Sequence, residues 1–144
     1  MYFSDKNAVV ATIDPAAITN NGSKTSDWVN FRIFKKITFV LLVGATDTTV
    51  DFLVQESAAS DGSNPQTITG KTITQLTGSN GDDKQVVIEV DQSELSTGYS
   101  YVSCKVTIGN GSSGAYVSAI GIGSNAAYEP ASGSDIASVA QIVA

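Results

Sequence analysis

Residues 36–55, KITFVLLVGATDTTVDFLVQ, decide the fold class of this chain. Residues 37–43 form a short apolar run rich in β-branched side chains, which predicts a strand that is buried on both faces. Small and polar residues interrupt the run, and residues 50–55 then alternate, with Val50, Phe52 and Val54 on one side. This alternation predicts a second strand beside the first. We therefore expect two adjacent scaffold strands that carry little chemistry of their own.

The composition of the chain favours an all-β domain. Of its 144 residues, 42% are hydrophobic and only 15% are charged, whereas charged residues make up about 25% of an average globular domain. Ser, Thr, Asn, Gln and Gly supply the remaining polarity, and these residues suit turns and strand faces better than helix interiors. The length is sufficient for one domain with a substantial core.

Further candidate strands recur at short spacing with turn-forming residues between them. They cover residues 8–13, 28–33, 85–90, 99–108 and 115–123, and two more are expected around Gly70-Lys71 within residues 67–77. In residues 85–90 the alternation places Ile88 and Val90 inward and Val87 outward. Asp14-Pro15 is expected to end the first strand, and single helical turns are expected at residues 16–18 and 92–95.

This spacing of strands and turns predicts the fold. No candidate strand alternates with a long helical segment, which disfavours a parallel α/β sheet. We predict an all-β fold, an antiparallel β-sandwich of the jelly-roll or immunoglobulin-like type. It should have about seven to nine strands, short helical turns and a flexible C-terminal tail.

Two segments are expected at the domain's ends. Residues 1–130 should form the β-sandwich domain, with residues 1–6 as a short N-terminal arm, and residues 131–144 should form the tail after a Pro/Gly/Ser-rich linker. Ile136, Val139 and Val143 have helical spacing, but the segment is short and partly β-branched, so both a helix and an added strand are open. An apolar tail of this kind should dock on its own domain or on a neighbouring subunit.

Charge and hydropathy argue against nucleic-acid and membrane partners. The net charge is −6, and no basic cluster is larger than Lys35-Lys36, so a phosphate-binding groove has few cations to use. The apolar run at residues 37–43 is too short to span a bilayer. The first residues lack the pattern of a secretory signal peptide, which predicts a protein of intracellular origin or one that leaves the cell by a route other than a cleaved signal.

The sequence offers little for catalysis or for binding a metal or other cofactor. It contains no histidine and a single cysteine, which removes the commonest general base and the usual zinc ligands. Cys104 lies on the apolar side of its strand without an activating partner, so we expect a buried small hydrophobic residue. The chain is therefore predicted not to be an enzyme and to have no cofactor.

Two polar patterns resemble functional motifs but have simpler interpretations. Residues 109–114, GNGSSG, match G-x-G-x-x-G, yet a strand is predicted after them instead of the helix that a dinucleotide site requires, so we expect a hairpin loop. Three groups of carboxylates are candidates for a glycosidase pair or a calcium site, and solvated loops are the favoured alternative. They are Asp82-Asp83, Asp91 with Glu94, and Asp51.

Several aromatic residues are candidates for an interaction surface. Trp28, Tyr99, Tyr101 and Tyr116 lie on candidate strand faces, where aromatic rings either stack on sugars or pack at sheet and subunit interfaces. We favour packing. The predicted interface residues are these four together with Ile136, Val139 and Val143 of the tail.

A series of strand motifs resembles a known family. The motifs are Trp28-Val29, KKITFVLLVGAT at 35–46, TVDFLVQES at 49–57, VIEVDQSEL at 87–95, YSYVSCKVTIGNG at 99–111 and AYVSAIGIGSNAAYEP at 115–130. Together they resemble the small virion structural proteins of tailed bacteriophages, of the head decoration or cement type. The resemblance covers most of the chain from residue 28 to residue 130, and it rests on strand patterns and not on a chemical signature.

This resemblance implies a non-enzymatic role. Such a protein would bind the major capsid protein on the outer face of an icosahedral head and stabilise the shell, as a homotrimer or another homo-oligomer. It would be made in the host cytoplasm and located on the capsid exterior, with its two ends serving as arms. The alternatives are a carbohydrate-binding β-sandwich on a virion surface and a tail-associated structural protein.

Overall fold

The structure, a computed structural model, describes residues 1–131, 135 and 137–143. Its nine strands are β1 (Ala8–Ile18), β2 (Ser23–Thr25), β3 (Val29–Asn30), β4 (Phe34–Thr46), β5 (Val50–Ser57), β6 (Gln66–Thr72), β7 (Lys84–Asp91), β8 (Tyr101–Ile108) and β9 (Ala115–Ala126). The helical elements are α1 (Phe3–Lys6), α2 (Gly78–Gly81) and a 3-10 turn (Gln92–Glu94). Within this part of the chain, no helix has the length and hydropathy needed to cross a membrane.

The strands form two antiparallel sheets. One sheet has the order β1-β9-β4-β7, and the other has the order β2-β8-β5-β6, with β3 also paired to β8. If β2 and β3 are taken as one interrupted strand, the chain pairs from its ends inward: β1 with β9, β2 and β3 with β8, β4 with β7, and β5 with β6. This is the connectivity of a jelly roll. The predicted antiparallel β-sandwich is confirmed, and the jelly-roll alternative is the one observed.

The strands predicted from residues 36–55 lie in different sheets. β4 pairs with β7 and β9, whereas β5 pairs with β6 and β8. The prediction that they are adjacent strands is therefore wrong: residues 47–49 carry the chain from one sheet to the other. Phe39 of β4 and Phe52 of β5 belong to one hydrophobic core, and both are fully buried.

The prediction that β4 is buried on both faces is also wrong. Ile37, Phe39 and Leu41 are fully buried, but Val40 is only half-buried and Leu42 is 41% exposed. The core-facing side of β4 thus lies against the other sheet, and its second side forms part of the molecule's surface. An all-apolar run does not distinguish these two sides, because it lacks the alternation that marks a half-exposed strand.

Three local predictions differ from the structure. β1 does not end at Asp14-Pro15 but continues to Ile18, with a register shift between Ile13 and Ala16, and no helical turn forms at residues 16–18. Proline is tolerated there because β1 is an edge strand. Residues 67–77 supply one strand instead of two, and Gly70, with φ of 77°, lies inside β6 and does not form a hairpin turn. The helical turn predicted at residues 92–95 is observed as the 3-10 turn.

Candidate interaction surface

The outer side of the sheet β1-β9-β4-β7 carries a continuous row of apolar residues. Val40 of β4 pairs directly with Ile120 of β9 and with Val87 of β7, so the three side chains lie next to one another across three strands. Leu42, Tyr116 and Ile122 extend the row along β4 and β9 at outward-facing positions. We name these six residues the outer apolar face: Val40, Leu42, Val87, Tyr116, Ile120 and Ile122.

This face is open to solvent over much of its surface. Leu42 is 41% exposed, Val87 57% and Tyr116 59%. The outward positions of an antiparallel sheet usually carry polar residues when that side faces water. A contiguous apolar patch on an otherwise polar surface instead marks a site of contact with another molecule.

Charged and small residues border the outer apolar face. Glu89 of β7 lies in the neighbouring row, opposite Thr38. At the other end, Pro15, Ala16 and Ala17 of the irregular part of β1 surround an open hollow together with Leu42 and Tyr116. The face therefore combines an apolar centre with an open hollow at one end and polar residues at its border, which is the usual anatomy of a protein interface.

The C-terminal tail runs against the edge strand β1, beside the outer apolar face. The backbone N–H of Asp135 donates to the carbonyl oxygen of Val9 at 2.8 Å. The hydroxyl of Thr12 donates to the Asp135 carboxylate at 2.8 Å and lies 2.7 Å from the Ser138 hydroxyl. Because Thr12 pairs with Ile120, the tail extends the surface of this sheet beyond its edge.

The arm and the tail also contact each other. The N–H of Ala131 donates to the carbonyl oxygen of Asp5 at 2.9 Å, and Lys6 lies 3.6 Å from Glu129 in an exposed ion pair. Phe3, Val9, Val139 and Ile142 contribute to an apolar groove between the two segments. The N-terminal arm is thus a short helix, α1, attached to the tail.

The described tail residues form neither of the two structures that the sequence leaves open, a helix or an added strand. The N–H of Val139 donates to the carbonyl oxygen of Asp135 at 2.8 Å, which closes a single turn. Of the predicted interface residues in the tail, Val139 is half-buried, Val143 is 86% exposed, and Ile136 lies outside the described residues.

The four predicted aromatic residues do not form one strip. The indole ring of Trp28 lies so close over Gly62 that any side chain at position 62 would collide with it. Tyr99 and Tyr101 are both half-buried. Tyr101 begins β8, in the sheet that contains β5, and Tyr99 lies just before it. Tyr116 alone lies on the other sheet, within the outer apolar face. The structure therefore brings Tyr116 together with aliphatic residues and not with the other aromatics.

The paired carboxylates at the end of β7 stabilise a turn. Asp91 accepts from the N–H of Ser93 at 3.0 Å, while Glu94 accepts from the N–H of Asp91 at 2.8 Å. The N–H and the hydroxyl of Ser93 hold the pKa of Asp91 below its ordinary value. The N–H of Asp91, followed by the ammonium of Lys71 at 2.9 Å, lowers the pKa of Glu94. This reciprocal arrangement is a capping box.

Two of the other carboxylates singled out in the sequence, Asp82 and Asp51, hold loops in the same way. Asp82 accepts from the N–H of Thr46 at 2.8 Å, and Asp51 accepts from the amide of Gln75 at 2.8 Å. Among the described residues, no three His, Cys, Asp or Glu side chains come together in a metal-binding arrangement.

Cys104 is fully buried in the core, as predicted. Burial raises the pKa of its thiol to about 12, against weaker opposing hydrogen bonds. Its backbone N–H donates to the hydroxyl of Ser26 at 3.0 Å. Ser26 lies in the gap between β2 and β3, so its side chain replaces a backbone acceptor that a continuous strand would supply. The thiol itself lacks the electropositive, exposed surroundings of a reactive cysteine.

The glycine-rich residues 109–114 connect the two sheets. β9 follows them, so no helix N-terminus is present to hold a phosphate, as the sequence predicted. The expectation of a hairpin loop is wrong, because β8 and β9 belong to different sheets and do not pair. Gly114 has a φ of 69°, and a side chain there would collide with the carbonyl oxygen of Ile18. This segment is a tight arch between sheets.

Sequence reasoning did not identify the outer apolar face. The alternation of residues 85–90 predicts that Val87 points outward, and this outward valine is the one signal of the face in the sequence. Val40 and Leu42 belong to the apolar run that predicts a fully buried strand, so nothing in the sequence indicates that they lie at the surface. Their position beside Val87 and Ile120 follows only from the strand pairing.

Comparisons with known proteins identify similar folds. No protein-family model matches the chain, and no curated protein sequence matches it. A chain in the structure of infectious bursal disease virus Gt strain is 10% identical, with a TM-score of 0.51 over 87% of this chain and 33% of that chain. A chain of the Gx strain virus structure is 14% identical, with a TM-score of 0.40 over 88% and 34%.

A third similar structure, described as "CBM4 structure and function", is 12% identical, with a TM-score of 0.44 over 85% of this chain and 81% of that chain. The present chain spans about a third of the length of each of the two virus chains. At 10% identity the similarity to the Gt strain chain concerns the fold alone.

Proposed function

We propose that this protein is a non-enzymatic structural protein of a virion, of the decoration type, which attaches through its outer apolar face to the major capsid protein of an assembled head. The observation that carries the proposal is the partly exposed row formed by Val40, Val87 and Ile120 on the outer side of the sheet. The jelly-roll topology supports it, since viral capsid domains use this architecture. So does the fold similarity to a chain of a virus structure.

The size of the outer face supports attachment as an oligomer. Its four strands have 8 to 13 residues each. With about 4.8 Å between strands and about 3.3 Å per residue, they present roughly 700 Å² on one side. A stable protein interface needs about 800 Å² from each partner. One copy would thus fall somewhat short of a stable interface, whereas a homotrimer or another homo-oligomer would present several faces to a regular shell and gain avidity.

The tail supplies a means of linking neighbouring copies. Its described residues reach β1 through only a few hydrogen bonds, at Val9 and Thr12. We propose that residues 131–144 act as an inter-subunit arm beyond a domain of residues 1–130, and that the same contacts at β1 form between copies on the particle.

A carbohydrate-binding role is the second candidate, and one observation favours it. Tyr116 is an exposed aromatic residue beside the hollow formed by Pro15, Ala16 and Ala17. Aromatic rings exposed on flat sandwich faces can stack on sugar rings. In this case Tyr116→Ala abolishes binding on a glycan array, whereas the first proposal expects no glycan binding by either chain.

Co-sedimentation tests the decoration function. Purified heads that lack this protein are mixed with increasing amounts of it and then pelleted. The proposal expects saturable attachment at a fixed ratio to the major capsid protein and greater resistance of the heads to heat. Absence of attachment at any concentration would contradict it, and attachment to purified tails in place of heads would support a tail-associated protein.

A further inference from the structure

Three Asn-Gly pairs occur in the chain, at Asn21-Gly22, Asn80-Gly81 and Asn110-Gly111. Such pairs are chemically labile because glycine places no side chain in the way of its own backbone nitrogen. That nitrogen attacks the side-chain amide carbon of asparagine, forms a cyclic succinimide and releases ammonia. Water then opens the ring to aspartate or isoaspartate. The nitrogen must be free to leave its hydrogen bond and move, so local structure decides the rate.

In two of the three pairs the glycine nitrogen already donates a hydrogen bond. The N–H of Gly22 donates to the carbonyl oxygen of Thr19 at 3.0 Å. The N–H of Gly81 donates to the carbonyl oxygen of Thr77 at 2.6 Å. The side chain of Asn80 is also engaged, since its oxygen accepts from the N–H of Thr77 at 2.7 Å. In both pairs the attacking nitrogen would first have to give up a hydrogen bond.

In the part of the chain that the structure describes, the third pair, Asn110-Gly111, is not held by hydrogen bonds of this kind. Asn110 is exposed in the arch between β8 and β9. Among the described residues, neither its side chain nor the N–H of Gly111 makes a hydrogen bond. A side chain on residue 111 would collide with the Asp47 carboxylate, which would have to move, and would approach Thr48. Glycine therefore fits this position best, directly after an exposed asparagine.

We propose that Asn110 is a site of spontaneous deamidation, converted in the folded protein ahead of Asn21 and Asn80. The C–N bond to Gly111 forms as ammonia leaves, and one water molecule completes the conversion. The product carries a new carboxylate in the arch that Asp47 holds, since the Asp47 carboxylate accepts from the hydroxyl of Ser112 at 3.2 Å and from the N–H of Ser113 at 2.9 Å. Isoaspartate also lengthens the backbone of the arch by one carbon. Either product loosens the arch that joins the two sheets.

Peptide mass spectrometry tests this order. The intact protein is incubated at mildly alkaline pH in water enriched in oxygen-18, digested, and the three Asn-Gly peptides are followed in time. A second sample is incubated in urea, where all three pairs are unfolded and serve as the sequence control. The sample is the full chain, so no variant has to fold for the comparison to be valid.

The folded protein should convert Asn110 about two- to tenfold faster than Asn21 or Asn80, a range set by the net free energy of one hydrogen bond. In urea the three rates should become similar. Conversion of Asn110 at the same rate as Asn21 and Asn80 in the folded protein, or more slowly, would overturn the proposal. If the order of conversion in urea equals that in the folded protein, the proposal is overturned as well, because the local sequence and not the structure would then set the rates.

Discussion

Val87 lies directly opposite Val40 on the outer side of the β1-β9-β4-β7 sheet, and Val87 is 57% exposed. The pair is part of the row that continues to Ile120. Apolar side chains that face water add little to the stability of an isolated sandwich. Covering them with a partner removes apolar surface from solvent, which is favourable by about 25 cal/mol per Å². The row therefore supports the proposed attachment through the outer apolar face.

The interruption between β2 and β3 is predicted to depend on one hydroxyl group. Ser26→Ala removes the acceptor of the buried Cys104 N–H, which is then left without a hydrogen bond. We expect the free energy of unfolding to fall by about 1–3 kcal/mol, measured by urea denaturation. Ser60→Ala, at an exposed loop position, is the control and should change it by less than about 0.5 kcal/mol. Equal effects of the two substitutions would refute the role of Ser26.

The buried thiol predicts a loss of stability at high pH. The pKa of Cys104 is raised by burial from 9.0 to about 12, so between these values the unfolded chain releases a proton that the folded chain retains. Unfolding therefore becomes easier as the pH rises above 9.0, and this contribution is fully present only below that pH. Cys104→Ala should lose this part of the pH dependence in urea titrations. An unchanged dependence would mean that the thiol ionises in the folded protein.

The arch at residues 109–114 predicts an acid-sensitive contact. The pKa of Asp47 is lowered from 3.8, mainly by the N–H of Ser113, with burial opposing and the hydroxyl of Ser112 adding to the effect. Because the folded value is depressed, the stabilisation is present above pH 3.8 and is lost as the pH falls through the lowered value. An NMR titration of the Asp47 carboxyl should find this shift. Ser112→Ala should move the pKa part of the way back towards 3.8, and a midpoint unaffected by that substitution would contradict the assignment.

The attachment of the tail should depend on Thr12. Thr12→Val keeps the shape of the side chain but removes the hydroxyl that contacts Asp135 and Ser138. Limited proteolysis within residues 137–143 should become about fivefold faster, since one hydrogen bond contributes about 1 kcal/mol. Thr107→Val, on β8 of the other sheet, serves as the control. If both variants are cleaved at the wild-type rate, the tail is not held at β1.

The fold class and most strand positions could be predicted because period-two alternation is a local property of the sequence. Residues 50–55 and 99–108 show it clearly, and both form strands close to the expected bounds. The partners of each strand could not be predicted in this way. β1 pairs with β9, from the opposite end of the chain, and no local pattern specifies such a pairing. For the same reason β4 and β5 were assigned to one sheet.

Only part of the candidate surface could be predicted from the sequence. The outward position of Val87 followed from alternation, but its neighbours Val40 and Ile120 depend on the register of three strands. The contact between Thr12 and Asp135 joins residues 123 positions apart, and side-chain hydrogen bonds of this range leave no periodic signal. Pro15 was misinterpreted because its compatibility with β1 depends on that strand being at an edge.

The most direct test of the central claim compares two lysine substitutions in the head-binding assay. Val87→Lys places a charge in the outer apolar face, whereas Thr69→Lys places the same charge at an exposed position of β6 in the other sheet. Both positions are exposed, so both variants should fold with wild-type stability to within about 0.5 kcal/mol. We predict that Val87→Lys weakens attachment to heads at least about tenfold while Thr69→Lys binds as the wild type does, because a desolvated charge without a partner costs more than about 1.4 kcal/mol. Equal binding by the two variants would contradict attachment through this face.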